Sequence, residues 1–233
     1  MNKTRGFTLV ELILAIGFVS LLLLAVSVLT IRVGDMYEKG ATIRSINQVS
    51  REVVDVMRRD FAQATTDVEL EVTGTSATPI YRLCLGDVSY IANSAELLID
   101  REETGSAIGL VKKAAASSDD GVRMVRVSDK GRKLCEDSGG SSYPMNIDPS
   151  ASELLTSSTI KLAVHDMSLS LLATGSGQQL YRLTLLVGTN DSGTLDENNR
   201  CRVNTDRAED AGADFNYCSV AELTTVMRTG GGS

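Results

Sequence analysis

Histidine and proline are the scarcest informative residues in this 233-residue chain: there is one histidine, and the first of only three prolines is Pro79. With His165 alone, most Ser-His and Cys-His catalytic arrangements are ruled out, and no G-x-S-x-G, H-E-x-x-H, P-loop or Rossmann fingerprint takes their place. No C-x-x-C pair occurs, so the cysteines lack the spacing of a zinc site. Positive charge is short too. Against 30 Asp and Glu stand 23 Lys and Arg, a net charge of −7, which makes a phosphate backbone a poor partner and disfavours nucleic acid, local basic patches aside. The chain reads as a non-enzyme that needs no cofactor.

What it does have is one apolar run. From Leu12 to Ile31 there are 20 residues without a charge, which at helical rise span about 30 Å, the thickness of a bilayer core. Three readings fit such a run. A signal anchor would keep Lys3 and Arg5 in the cytoplasm and export the rest of the chain. A removable signal peptide would have a shorter apolar region ending in a small-residue site, and Thr30-Ile31-Arg32-Val33 is not one. Cleavage ahead of the run, at Gly6-Phe7, would leave the apolar helix on the mature protein.

The order Lys3, Arg5, Gly6, Phe7, Thr8, Leu9, Val10, Glu11 resembles the signature of the type IV prepilin family: a short basic leader ending in Gly, an apolar first mature residue, and a Glu four positions on. The resemblance implies that a prepilin peptidase cuts after Gly6 and methylates the new amine of Phe7. The partners it implies are other pilin or pseudopilin subunits, the peptidase, an inner-membrane assembly platform and, before assembly, membrane lipid. Glu11 also has a physical reading. A carboxylate at mid-bilayer costs about 2.5 to 3.5 kcal/mol on insertion scales and is tolerated where it finds a partner. Glu11 lies near the end of the span, where the cost is lower, and in a bundle of like helices its natural partner is the amine of a neighbour's Phe7. That pair would set the axial register.

The helical pattern continues past the apolar run. Val33, Met36, Ile43, Ile46, Val49, Val53, Val56, Met57, Phe61 and Ala64 recur at steps of three and four, with Arg44, Gln48, Arg51, Glu52, Asp55, Arg58 and Arg59 on the other faces. A single helix from Phe7 to about Thr66 would measure about 90 Å, membrane half first, amphipathic half (32–66) laid on a head. Gly34 and Gly40 are its weak points. Arg51–Asp55 and Asp55–Arg59 are expected i, i+4 ion pairs.

From residue 67 the period changes to that of strands. Asp67–Val72, Ile80–Leu85 and Val122–Val127 read as strands, Val88–Ala92 with Glu96–Arg101 as a hairpin, and Leu223–Met227 as a last strand. The clearest signal is Ile160–Leu172 and Leu180–Val187 around a Gly/Ser turn, an antiparallel hairpin. Ser138–Ser152 reads as loop. The expected fold is therefore α+β: a leader (1–6), a membrane or filament-core helix (7–31), its amphipathic continuation, and a β-rich extracytoplasmic head (67–233) with the helix packed on an antiparallel sheet.

Cys84, Cys135, Cys201 and Cys218 all lie beyond the apolar run, on the side expected to be oxidising. Of three pairings, the sequence-local Cys201–Cys218 is favoured, with Cys84–Cys135 by remainder. The loop it would close carries Asp196, Glu197, Asp206, Glu209, Asp210 and Asp214. Asp196, Asp206 and Asp210 are oxygen ligands for a Ca²⁺ ion in principle, but EF-hand spacing is missing, and a solvated loop tied by cysteines is the favoured reading. His165 reads as a partly buried structural residue. Gly230-Gly231-Gly232-Ser233 has linker composition and points to no function.

Arg51–Ala64, REVVDVMRRDFAQA, resembles the end of the long helix in minor pilins of the PilW type and pseudopilins of the GspJ type. His165–Leu171 with Leu180–Leu185 resembles the paired strands of their heads. Val28 stands where many major pilins carry a helix-bending proline, which favours a minor subunit. The expected role is thus a structural subunit of a type IV pilus or a type II secretion pseudopilus. The rival is a signal-anchored envelope protein whose head binds or hydrolyses an extracytoplasmic ligand.

Overall fold

The computed structural model of the chain describes residues 8–64, 68–104, 109–114, 121–136, 143–156, 160–175, 178–190, 201 and 218–230. The first element, α1, runs unbroken over Leu9–Gln63, 55 residues. No proline interrupts it, and Gly34 and Gly40 sit inside it with open space where a side chain would begin. It ends at Ala64, whose extended backbone turns the chain away while its N–H donates to Asp60 O at 2.9 Å.

Among the described residues, ten strands and a second helix follow: β1 (Glu69–Gly74), β2 (Pro79–Cys84), β3 (Val88–Asn93), α2 (Ala95–Thr104), β4 (Lys112–Lys113), β5 (Val125–Ser128), β6 (Asn146–Ile147), β7 (Ser152–Glu153), β8 (Leu162–Gly175), β9 (Gln178–Thr189) and β10 (Val220–Arg228). They form a five-stranded sheet in the order β1-β2-β3-β5-β7, a three-stranded sheet in the order β10-β9-β8, and the small parallel pair β4-β6. Every pairing in the two larger sheets is antiparallel. The architecture is α+β, as expected.

The amphipathic stripe is buried only from Thr42 onward. Ile46, Val49, Val53, Met57 and Phe61 enter the main core with Tyr81, Leu83, Tyr90, Leu183 and Leu185 of the sheets. Val33, Met36 and Ile43, read as part of that stripe, are exposed instead, because the head covers its apolar positions only from Ile46 onward. Burial of each large side chain at these positions contributes on the order of 2 kcal/mol. A second core on the far face of the five-stranded sheet joins Ile80, Ile91, Val125, Val127, Leu97 and Leu98.

Three expectations are corrected. Glu96–Arg101 is helix α2, not a strand: Ser94 caps it, its Oγ accepting from Leu97 N–H at 3.2 Å and its carbonyl from Leu98 N–H at 3.1 Å. β3 therefore pairs with β2 and β5 rather than with the segment after it. Asp55 pairs with Arg58 at 3.3 Å rather than with Arg51 or Arg59. The span Ser138–Ser152, read as loop, holds the short strand β6 and the first residue of β7.

Candidate functional site

Thr8 opens α1 from an extended conformation, and its side chain and that of Glu11 cap the first turn together. Thr8 Oγ1 accepts from Glu11 N–H at 3.3 Å, while Glu11 Oε2 accepts from Thr8 N–H at 3.0 Å and from Thr8 Oγ1 at 2.8 Å. This is a capping box, which satisfies helix donors that have no partner within the helix. Its T-x-x-E spacing was legible in the sequence beside the cleavage signature. Both contacts of the carboxylate use Oε2; among the described residues Oε1 meets no donor. The carboxylate is thus held at the mouth of the helix with one oxygen open. Lys3, Arg5, Gly6 and Phe7 lie outside the described residues.

Behind Glu11, every described side chain from Leu12 to Ile31 is exposed. The apolar window of α1 is long enough to cross a bilayer, and 0% of it is buried within the chain. Ser20, Ser27 and Thr30 donate to the carbonyls of Ile16, Leu23 and Val26 at 2.8 Å, so even the hydroxyls in this run are satisfied internally. Such a surface is matched to lipid or to other apolar helices.

The other end of α1 is clamped to the head by charge. Asp60, 8% exposed, accepts from Arg126 Nε at 2.6 Å and Nη2 at 2.9 Å. Tyr90 Oη, from β3, donates to the same carboxylate. Burial alone would raise the Asp60 pKa, but hydrogen bonds from Arg126 and Tyr90 outweigh it and hold the carboxyl below its usual range. By sequence alone Asp60 belongs to the helix's polar side; its partners lie in strands far along the chain.

A buried guanidinium fixes the far face. Arg82, wholly buried in β2, donates to the carbonyls of Leu134 and Pro144 at 3.0 Å each and lies 5.3 Å from the Tyr143 ring centroid. Burial lowers its pKa. Two residues along the strand, Cys84 is joined to Cys135, and Cys201 is joined to Cys218. Leu134, Cys135 and Pro144 are thereby tied to β2 by a covalent link and by hydrogen bonds from a guanidinium. Asp196, Asp206 and Asp210 lie outside the described residues, and no group of three metal-ligating side chains occurs among the described ones.

His165 is 2% exposed rather than partly buried. It occupies a β-bulge between Val164 and Asp166, with Nε2 3.1 Å from Thr189 O and Nδ1 without a partner among the described residues. Gly188 makes room for it: a Cβ there would fall 2.9 Å from Nε2. Burial pushes its pKa down to about 4. The folded value lies below the unfolded one of about 6.5, so the stability it contributes is present above pH about 6.5 and is lost as pH falls towards 4. Urea unfolding of the full chain in detergent should therefore lose about 2 kcal/mol between pH 7.5 and 5. A His165→Gln variant should lose under half as much, and an equal loss would place the effect elsewhere.

No protein-family model, no curated protein and no solved structure matches this chain.

Proposed function

We propose that the chain is a structural subunit, of the minor pilin or pseudopilin kind, of a type IV filament or a type II secretion pseudopilus. A prepilin peptidase removes residues 1–6; the membrane then holds the subunit by residues 7–31, N-terminus in the cytoplasm and head outside. An assembly platform moves it into a filament in which its apolar helix exchanges lipid for the helices of other subunits. Glu11 selects the register by meeting the amine of a neighbour's Phe7.

The observation that carries this reading is the undocked apolar half of α1, introduced by a carboxylate with one oxygen open. A tether needs a membrane-length run and at most a cap, which uses one oxygen of Glu11; the second oxygen is left for a neighbour's cation. The head supports the same role, since it grips the helix only from Thr42 onward and leaves the preceding residues to other partners. The cytoplasmic peptidase, the platform and the partner subunits are implied by the sequence signature.

The test is a photo-crosslinking residue at Leu21, in cells that make the chain. Crosslinks to the apolar helices of other subunits, in material sheared from the cell or extracted as an assembly, are the expected result. A chain that crosslinks to lipid alone in every fraction contradicts the reading.

A further inference from the structure

We propose that the outer edge of β8, from Ser168 to Thr174, is a strand-addition site for an extended segment of another protein in which apolar and acidic residues alternate. β8 is an edge of the three-stranded sheet. Its first half is covered: Val164 bridges Ser94, and Tyr81 Oη donates to His165 O at 3.3 Å. Beyond Met167 the strand pairs with β9 on one side, and among the described residues nothing pairs with its other side. A bare edge is a template for another strand, and proteins blunt such edges with charge, proline or bulges. Between Ser168 and Gly175 there is no charged residue and no proline, and the one irregularity is a bulge between Leu171 and Ala173. Leu171 is 53% exposed and Leu172 40%.

The occupant's pattern is set by the two faces of the strand. Leu169 and Leu171 oppose Leu183 and Tyr181, on the face turned towards the core. Every second residue of an added strand would stand beside these leucines, where an apolar side chain fits. The other face carries Ser170, opposite Arg182, with Arg228 two residues further along and opposite Leu180. Among the described residues neither guanidinium has a hydrogen-bond or ion-pair partner, in a chain where acids outnumber bases 30 to 23. An added strand would lie about 10 Å from β9, so a carboxylate on it and Arg182 meet across the small Ser170. Arg228 also lines the shallow groove formed by Ala173, Thr174 and Gln178 at the hairpin tip. Charge complementarity thus selects an acidic–apolar strand over a second, uncharged copy of β8. The site does not depend on how α1 assembles.

The probe is a fluorescent peptide with the alternating sequence of residues 67–74, DVELEVTG, titrated by anisotropy against the full chain in detergent micelles. Saturable binding is expected, weakened at least tenfold when lysines replace the acidic residues of the peptide. Arg182→Glu should weaken it as much and turn the preference towards the lysine peptide. Leu171→Lys, a surface change that restores an edge guard, should abolish it while the circular dichroism of the chain is unchanged. The proposal is overturned by no saturable binding, by equal binding of both peptides, or by binding indifferent to Leu171→Lys. Self-association of the free chain that Leu171→Lys abolishes would give the edge to a second copy and overturn it equally.

Discussion

A Glu11→Ala chain is expected to enter the membrane and be processed like the parent, yet to be depleted at least tenfold from the assembled fraction. The substitution removes two things at once. The capping box with Thr8 is lost, which costs the first turn about 1 kcal/mol; that turn begins an apolar run long enough to cross a bilayer, so insertion should survive. In the proposed bundle the acceptor for a neighbour's cation is lost as well, which would leave that cation buried in an apolar interior without a partner, at a cost of several kcal/mol. The two losses separate in other variants. Thr8→Ala breaks the box and keeps the carboxylate, so it should assemble. Glu11→Gln keeps a capping acceptor and removes the charge, so it should fail like Glu11→Ala. Assembly of Glu11→Gln at the parent's level would remove the register role from Glu11.

Asp60→Ala should destabilise the head by about 3 kcal/mol, the cost of breaking a buried ion pair by removing one member. Asp60 accepts from Arg126 twice and from Tyr90 once, and Tyr90 is wholly buried. Without the carboxylate, Arg126 keeps partial access to water, its side chain being 36% exposed, but the Tyr90 hydroxyl is left without an acceptor inside the core. For a head of this size the thermal midpoint should fall by about 6 to 12 °C, measured by circular dichroism on the full chain in detergent. Tyr90→Phe should cost about 1 kcal/mol, since it removes the donor and leaves the packing of the ring in place. A drop of under 2 °C for Asp60→Ala would mean that apolar packing alone docks α1. The clamp also adds acid sensitivity. The lowered Asp60 pKa means that its contribution is present at neutral pH and is lost below about pH 4, a lower window than that of His165.

Elements with a long, single period were legible in the sequence. α1 shows its apolar run and then its stripe over 55 residues, and the β8–β9 hairpin shows two apolar stretches around a Gly/Ser turn. Helix α2 was not legible as such. Ala95–Thr104 is short, its adjacent Leu97 and Leu98 fit either period, and the decisive signal was the cap at Ser94. Val33 and Met36 share the spacing of the buried stripe, and only the size of the head, which local pattern does not encode, leaves them outside. The clamp shows the same limit. Asp60 sits among Arg58, Arg59 and Phe61 like any surface acid, and its partners Tyr90 and Arg126 come from strands whose side-by-side placement only the fold decides. At the N-terminus the reverse holds. Thr8 and Glu11 are neighbours on one helical turn, so their contact was written in the spacing, although the cleavage signature is the more conspicuous pattern there.

If α1 is an assembly helix exposed by processing and not a passive anchor, as proposed, the mass of the mature N-terminus decides it. Intact-protein mass spectrometry of the chain from cells that make it should find a start at Phe7 carrying one added methyl group on its amine. An N-terminus at Met1, or one beyond Ile31, would contradict it.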